Sequence, residues 1–352
     1  MESCSFRVFA PQERTRTSLA VQPVTEAYKE AFSALICEQA AQHSASTTKS
    51  REEIDTLWNA VGAPDGINAF LVVDDATQKP LAAVTYTSCV SRMGEGLYLE
   101  DIVTTKAERG HGIGSFAMSA LAQLAQRRGV SYISWECAHS NHVAQAFYDG
   151  LKAERFENRH TWRTFGLMER EPRDDEGAEP YTVRRMTPAD SEAVAACFSC
   201  QHTPLSGRAL VNRDFVMAVA ETCDREIVGA AVAYRNYSTF RTTSGLHLER
   251  VALKRDDPAL ARSILDYFAE AQRQKMWDGH VDFTIDNADT SFWTPVLGQY
   301  GMEPLSYGND PMVVRRLSGD ALAAVAEKTR HESLRPTSQL RERRLRTSAE
   351  PL

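Results

Sequence analysis

The segment Arg109-Gly110-His111-Gly112-Ile113-Gly114-Ser115 sets three glycines at alternate positions just ahead of a helical apolar pattern. Glycines so spaced let the backbone approach an anion closely, and the helix behind them offers unpaired N–H groups and the positive end of its dipole. The chemistry this predicts is a pyrophosphate held on main-chain amides between Gly110 and Ser115. Two more residues could move protons. Glu100 stands in the strand-like run Leu97–Val103, where a carboxylate is out of place unless it has a partner or a task. Tyr148 follows Phe147 and is a phenol able to donate a proton, although a Phe-Tyr pair also fits simple packing on a helix. Glu100 could likewise serve only a salt bridge or an exposed strand face.

The chain has 352 residues, 43% hydrophobic and 25% charged, which suits a globular protein with room for two domains. A formal charge of −7 leaves no basic stripe for general nucleic-acid binding. No apolar run reaches the ~18 residues of a membrane helix, and Met1 to Ser18 carries scattered charges where a secretory apolar region would lie. The expectation is a cytoplasmic protein with no nucleic-acid or membrane partner. The seven cysteines are odd in number and show one C-x-x-C, Cys197 and Cys200, within an expected helix Ser191–Cys200. Neither these nor His139 and His142 have the companions a metal site needs, so no metal is expected.

The elements that must position these residues can be read from periodicity. Ala27, Tyr28, Ala31, Phe32, Leu35 and Ile36 recur at helical steps. Ala69–Val73 and Leu81–Tyr86 read as strands. Ile113, Phe116, Ala117, Ala120, Leu121 and Leu124 mark a helix that Arg127, Arg128 and Gly129 end. Ser131–Cys137 alternates as a strand, and Asn141 is a good N-cap for a short helix. Residues 169–180 lack large apolar side chains and are bracketed by Pro172 and Pro180, so the domain boundary belongs there. Strands are expected on either side, over Trp162–Met168 and Tyr181–Met186.

The loop Arg109-x-x-Gly112-x-Gly114, at a strand-to-helix junction, resembles the acetyl-CoA loop of the GCN5-related N-acetyltransferases, the GNAT superfamily. Tyr98-Leu99-Glu100-Asp101, the glycine loop, and Asn141 with Phe147-Tyr148 look most like the branch that acetylates diamines (spermidine/spermine, thialysine). The resemblance implies acetyl-CoA as co-substrate. It implies backbone groups of Ile102, Val103 and Thr104 for the pantetheine arm and thioester oxygen. It also implies Arg109, Gly110, His111, Gly112, Ile113, Gly114 and Ser115 for the pyrophosphate, and Asn141 and Phe147 beside the cofactor. Tyr148 then protonates the departing thiolate, and Glu100 helps remove the amine proton through water. The polyamine-acetylating members carry acids that this chain lacks in Cys89–Gly94 and Gln42-His43-Ser44, where Arg92 stands instead. Arg92 suggests a carboxylate or phosphate on the acceptor.

The trailing half resembles a second copy. Leu246–Val251 parallels Leu97–Ile102, and Asp286 with Phe292 and Trp293 parallels Asn141 with Phe147 and Tyr148. After Glu249 the chain reads Arg250-Val251-Ala252-Leu253-Lys254-Arg255-Asp256-Asp257-Pro258, without a glycine and with two acids where pyrophosphate should sit. Trp293 replaces the phenol.

The fold class expected is α/β (α+β): two tandem GNAT-like domains, each a mixed, mostly antiparallel sheet flanked by helices. The expected divisions are an N-terminal extension (1–18), a catalytic domain (19–168), a linker (169–180), a degenerate domain (181–317), and a short helix with a disordered tail (318–352). The expected activity is acetyl transfer to the primary amine of a small molecule such as an amino acid, amine or amino sugar, by a monomer or homodimer. The alternatives are a protein or peptide acetyltransferase and a non-catalytic acyl-CoA-binding module.

Overall fold

The computed structural model describes residues 18–43, 49–91, 94–170, 180–197, 212–277, 279–307 and 310–328. The expected N-terminal extension up to residue 17, most of the linker, Cys200 and the tail beyond residue 328 lie outside them.

The leading half runs β1 (Leu19–Pro23), α1 (Lys29–His43), α2 (Arg51–Ala60), β2 (Asn68–Asp74), β3 (Pro80–Ser91), β4 (Gly94–Thr104), α3 (Ile113–Arg128), β5 (Tyr132–Ala138), α4 (His142–Gly150), β6 (Glu154–Phe156) and β7 (Arg159–Phe165). Helix α1 buries Phe32, Leu35 and Ile36, as its spacing requires. Helix α2 was not among the expected elements. Its signal is a capping box, in which Ser50 Oγ accepts from the Glu53 amide at 3.2 Å and Glu53 Oε2 accepts from the Ser50 amide at 2.7 Å. Helix α3 ends at Gly129, whose φ of +69° is the left-handed conformation favouring glycine.

The trailing half runs β8 (Thr182–Arg185), α5 (Ser191–Cys197), β9 (Phe215–Glu221), β10 (Ile227–Ser238), β11 (Thr243–Leu253), α6 (Pro258–Lys275), β12 (His280–Asp286), α7 (Thr290–Gly298), β13 (Glu303–Pro304), β14 (Ser306–Tyr307), β15 (Asp310–Ser318) and α8 (Gly319–Glu327). Two sheets result, one in the order β1-β2-β3-β4-β5-β15-β14 with β6 on β15, the other β13-β7-β12-β11-β10-β9-β8. Among the described strand pairs only β4 with β5 and β11 with β12 are parallel. The mixed, mostly antiparallel architecture is therefore as expected.

The halves exchange strands. The strand expected over Trp162–Met168 forms at Arg159–Phe165, and it pairs with β12 in the second sheet, Thr161 opposite Thr284 and Arg163 opposite Asp282. In return β15 pairs with β5 in the first sheet, from Met312 opposite Ala138 to Ser318 opposite Tyr132. Alternation along β15 sends two arginines to different surroundings. Arg315, fully buried, donates from Nη1 to Asp149 at 2.7 Å and from Nε to Gln145 at 3.0 Å on α4, while Arg316 reaches Glu249 of the second sheet at 3.5 Å. Helix α8 also belongs to the leading half's core: Leu322, Val325 and Ala326 are buried there, and Gln123 of α3 donates to the Ala326 carbonyl at 2.8 Å. A further apolar core, including Cys89, Val90 and Tyr132 with Phe215, Met217, Val232 and Tyr234, joins the two halves directly. Each half thus completes the other.

Candidate active site

Strands β3 and β4 slip register between Thr85 and Tyr86: Thr85 faces Asp101 and Tyr86 faces Leu99, so Glu100 is the extra residue of a bulge. Bulges re-aim a side chain locally. On its other side β4 pairs with β5 only at Leu97–Ile133 and Tyr98–Ser134. Beyond Tyr98 the parallel strands diverge, which releases main-chain groups of β4 from the ladder and opens a cavity of about 790 Å³ between them.

The floor of this cavity is the glycine loop. Gly110 (φ +79°) and Gly112 (φ +84°) occupy the left-handed region, and an added Cβ on either would meet nothing within 4 Å. Their need for glycine is thus a matter of backbone conformation. Gly112 is the N-cap of α3 and contributes no side chain, so the first amides of the helix stay open. Arg109 braces the loop, with Nε donating to the Thr104 carbonyl and Nη2 to Glu38, each at 3.3 Å. The residues present fit an extended anionic nucleotide: open amides at a helix terminus below, unpaired strand edges above.

Of the residues singled out from sequence, Glu100, Ile102, Val103, Thr104, Arg109, Gly110, Gly112, Ile113, Gly114, Ser115, Asn141, Phe147 and Tyr148 all line this one cavity. His111 is exposed and does not line it. Arg92 lies outside the described residues. Asn141 caps α4, its Oδ1 accepting from the Ala144 amide at 3.2 Å. Phe147 lies against Gly114, 3.5 Å from where a Cβ would stand. Tyr148 packs its ring on Trp135 with centroids 4.8 Å apart, and no hydrogen bond to its hydroxyl occurs among the described residues. Burial pushes its phenol up, so it holds its proton until a stronger base than solvent is near.

Glu100 accepts from Thr87 Oγ1 and from the Tyr237 amide, both at 3.2 Å. These neutral donors only partly offset burial, which holds its carboxyl well above the ordinary range. Neighbouring Asp101 accepts from Gln39 Nε2 at 2.7 Å and Thr85 Oγ1 at 2.8 Å.

Sequence reasoning missed Glu136 on β5. It lines the same cavity, accepts a hydrogen bond from Thr161, and has its carboxyl pushed up by burial and by Asp282. The signal was present, a carboxylate inside the alternating run Tyr132–Cys137. Also missed was the wall given by the trailing half: Asn236, Tyr237, Ser238, Thr239, Phe240 and His280, with Arg163 of the exchanged β7. Lys49 of the leading half binds the Phe240 carbonyl at 2.7 Å across that seam, and burial pulls its ammonium down.

The trailing half has its own cleft, of about 360 Å³, at the corresponding place. There β10 and β11 slip register between Val232 and Ala233, which makes Glu249 the bulged residue just as Glu100 is in β4. The surroundings differ. Arg159 donates to Glu249 at 3.3 Å and Arg316 approaches it at 3.5 Å, so the carboxyl is held below its usual value despite burial. The N-terminus of α6 is closed by Asp257, whose Oδ1 accepts from the Ala259 and Leu260 amides at 2.9 and 3.3 Å. Among the described residues no cluster of three or more His, Cys, Asp or Glu could hold a metal ion, and no helix is long and apolar enough to cross a membrane.

No curated protein matches the chain. Solved structures similar to it include a GCN5-related N-acetyltransferase from Sphaerobacter thermophilus, 17% identical, covering 86% of this chain and 96% of that one with a TM-score of 0.48. A putative acetyltransferase from Pyrococcus horikoshii is 14% identical, with coverages of 89% and 94% and a TM-score of 0.45. A tandem GNAT protein from the clavulanic acid biosynthesis pathway is 12% identical, with coverages of 85% and 98% and a TM-score of 0.45. Residues 25–151, which hold the splayed strands, the glycine loop and Tyr148, match the acetyltransferase (GNAT) family model.

Proposed function

We propose that the protein is an acetyl-CoA-dependent N-acetyltransferase acting on the primary amine of a small molecule through the cleft of its leading half. The observation that carries this reading is the convergence of an open helix terminus, splayed strands, an uncharged phenol and a high-pKa carboxyl on one cavity. Acetyl-CoA supplies the activated acetyl group. Amides of Gly110–Ser115 hold its diphosphate and the freed edge of Ile102–Thr104 holds its pantetheine arm. Glu100 takes a proton from the amine directly or through water, favoured by burial that raises its carboxyl above the ordinary range. Tyr148 gives a proton to the CoA sulfur.

The acceptor end is lined by Glu100, Asp101 and Glu136, which suits an amine that arrives protonated. An anionic acceptor rests on Arg92 alone. Within the superfamily, the placement nearest the diamine branch rests on Tyr98–Asp101, the loop and Phe147-Tyr148. A pure acyl-CoA sensor needs the glycine loop and neither Glu100 nor Tyr148, so the intact pair favours the enzyme.

The test is a screen of amines with the full-length protein and acetyl-CoA, read by release of free thiol. Thiol release with an amine, lowered about 10-fold or more in Tyr148→Phe while acetyl-CoA affinity is kept, is the expected result. Absence of transfer to any amine, with acetyl-CoA bound, would favour the sensor.

A further inference from the structure

Acetylating an amine that arrives as its ammonium ion releases a proton: RNH3+ plus acetyl-CoA gives RNHAc, CoASH and H+. The C–S bond breaks and the C–N bond forms. The nitrogen loses two protons; one is matched by the proton delivered to sulfur, and the other has to leave a cleft filled by both substrates.

A file of hydrogen-bonding side chains runs from that cleft into the trailing half. It begins at Glu136, in the wall of the large cavity, which accepts from Thr161 Oγ1 of the exchanged strand β7. Thr161 Oγ1 meets Thr284 Oγ1 at 2.9 Å, and Thr284 Oγ1 meets His247 Nε2 at 3.1 Å. Thr161, Thr284 and His247 are each no more than 5% exposed. At the far end His247 Nε2 lies 3.7 Å from Glu249 Oε2, and both Thr284 and Glu249 line the smaller cleft, whose Asp286 side chain is 48% exposed. Every member can both give and take a proton: carboxyl, hydroxyl, hydroxyl, imidazole.

From this geometry we infer that Glu136, Thr161, Thr284 and His247 form a proton relay that carries the surplus proton from the amine pocket to the trailing half's cleft. The inference rests on the acetyltransferase reading above. Glu136 takes the proton the ammonium sheds before attack. Glu136 then donates to Thr161, Thr161 to Thr284, and Thr284 to Nε2, so that one proton enters at the carboxyl and one appears on the imidazole while each hydroxyl ends with the proton count it began with. Charged and aromatic groups surround the His247 ring. Glu249 stands beside Nε2, Asp282 lies 3.8 Å from Nδ1, and the ring stacks on Tyr234 at 4.7 Å with Tyr98 at 6.0 Å. Opposing charges are set one step back: Arg163 on Asp282, Arg159 and Arg316 on Glu249, with neutral His280 beside Asp282. Burial and Asp282 push the Glu136 carboxyl up against the pull of His247, Thr161 and Arg163. The imidazolium then gives up its Nε2 proton to solvent in the smaller cleft, which Glu249 lines as an anion, and the ring returns to its neutral form; on this account the trailing cleft serves as an exit for protons, with no need to bind a cofactor.

The experiment compares Thr284→Val, which keeps the shape and removes the hydroxyl, with Thr284→Ser, which keeps the hydroxyl. Full-length protein is used with acetyl-CoA and an amine accepted in the screen above, and kcat is followed across pH in weak and strong buffer together with proton release to an indicator dye. The relay predicts a kcat about 10-fold lower in Thr284→Val, proton release slowed in step with it, KM for acetyl-CoA within 2-fold of the parent, and rescue in Thr284→Ser. His247→Gln, which can bond Thr284 but cannot pass a proton on, is expected to match Thr284→Val and stands in for it if that variant does not fold. Unchanged kcat and pH profile in either, or equal loss in the Val and Ser variants, overturns the relay while leaving the acetyltransferase reading intact. Absence of turnover in the parent protein overturns both.

Discussion

The two clefts of this molecule share one backbone plan and differ in what neutralises it. Both have a parallel strand pair, a bulged glutamate and a helix starting just after, yet the leading helix opens on Gly112 while the trailing helix is stoppered by Asp257. A helix N-terminus attracts an anion, and a side-chain carboxylate satisfies it as well as a phosphate does. The glutamates diverge in the same sense. Glu100 has hydroxyl and amide donors and stays high, whereas Glu249 lies between two arginines and is held as the anion. A catalytic base has to change its charge, and an ion-paired carboxylate resists doing so. Two clefts of one backbone plan can thus differ in whether their polar groups are satisfied from within.

The comparison can be broken by making the leading cleft resemble the trailing one. Gly112→Asp puts a carboxylate beside the open amides, and acetyl-CoA binding by calorimetry is expected to weaken at least 100-fold with the circular dichroism unchanged; retained affinity would place the diphosphate elsewhere. Glu100→Gln is expected to lower kcat/KM about 100-fold. Because burial raises this carboxyl, the parent's activity is expected to rise with pH through a midpoint above the ordinary carboxylate value, near 4.3, and that limb should vanish in the variant. A parent profile flat from pH 5 to 8 would remove Glu100 from the chemistry.

The trailing side yields stability effects instead. Glu249→Ala removes the carboxylate shared by Arg159 and Arg316, 14% and 3% exposed, while Arg159 keeps Asp286 at 3.5 Å, and a loss of about 3 kcal/mol in denaturant unfolding is expected. Since this carboxyl is depressed in the folded state, its contribution is present above the ordinary carboxylate pKa and is lost as pH falls through the lowered one. The smallest effect is expected from Asp257→Ala, which costs about 1 kcal/mol of helix capping. Should it also create acetyl-CoA binding in the trailing half, the carboxylate stopper alone separates the two clefts.

Much of the leading site was legible because its parts are local. Glycines at 110, 112 and 114 specify a turn and a helix start within a few residues, and Asn141 with Phe147-Tyr148 lies on a single helix. Helix α2 was overlooked although Ser50 and Glu53 announce it. Glu136 could have been found by the argument applied to Glu100, a carboxylate within an apolar strand. The trailing wall of the cavity could not: Tyr237 meets Glu100 across 137 residues of chain, and nothing in its local pattern points there.

From its residues alone the chain determines two similar halves, which of them opens a helix on glycine, and where the carboxylates and phenol stand along each element, because these follow from turn geometry and short-range periodicity. Only the tertiary structure decided that β7 and β15 trade sheets, so that Thr161 and Arg163 pair into the trailing sheet and Arg315 into the leading one. An alternating strand carries the same apolar pattern whichever sheet receives it, and the choice between edges is made by long-range pairing of main chain and buried charge.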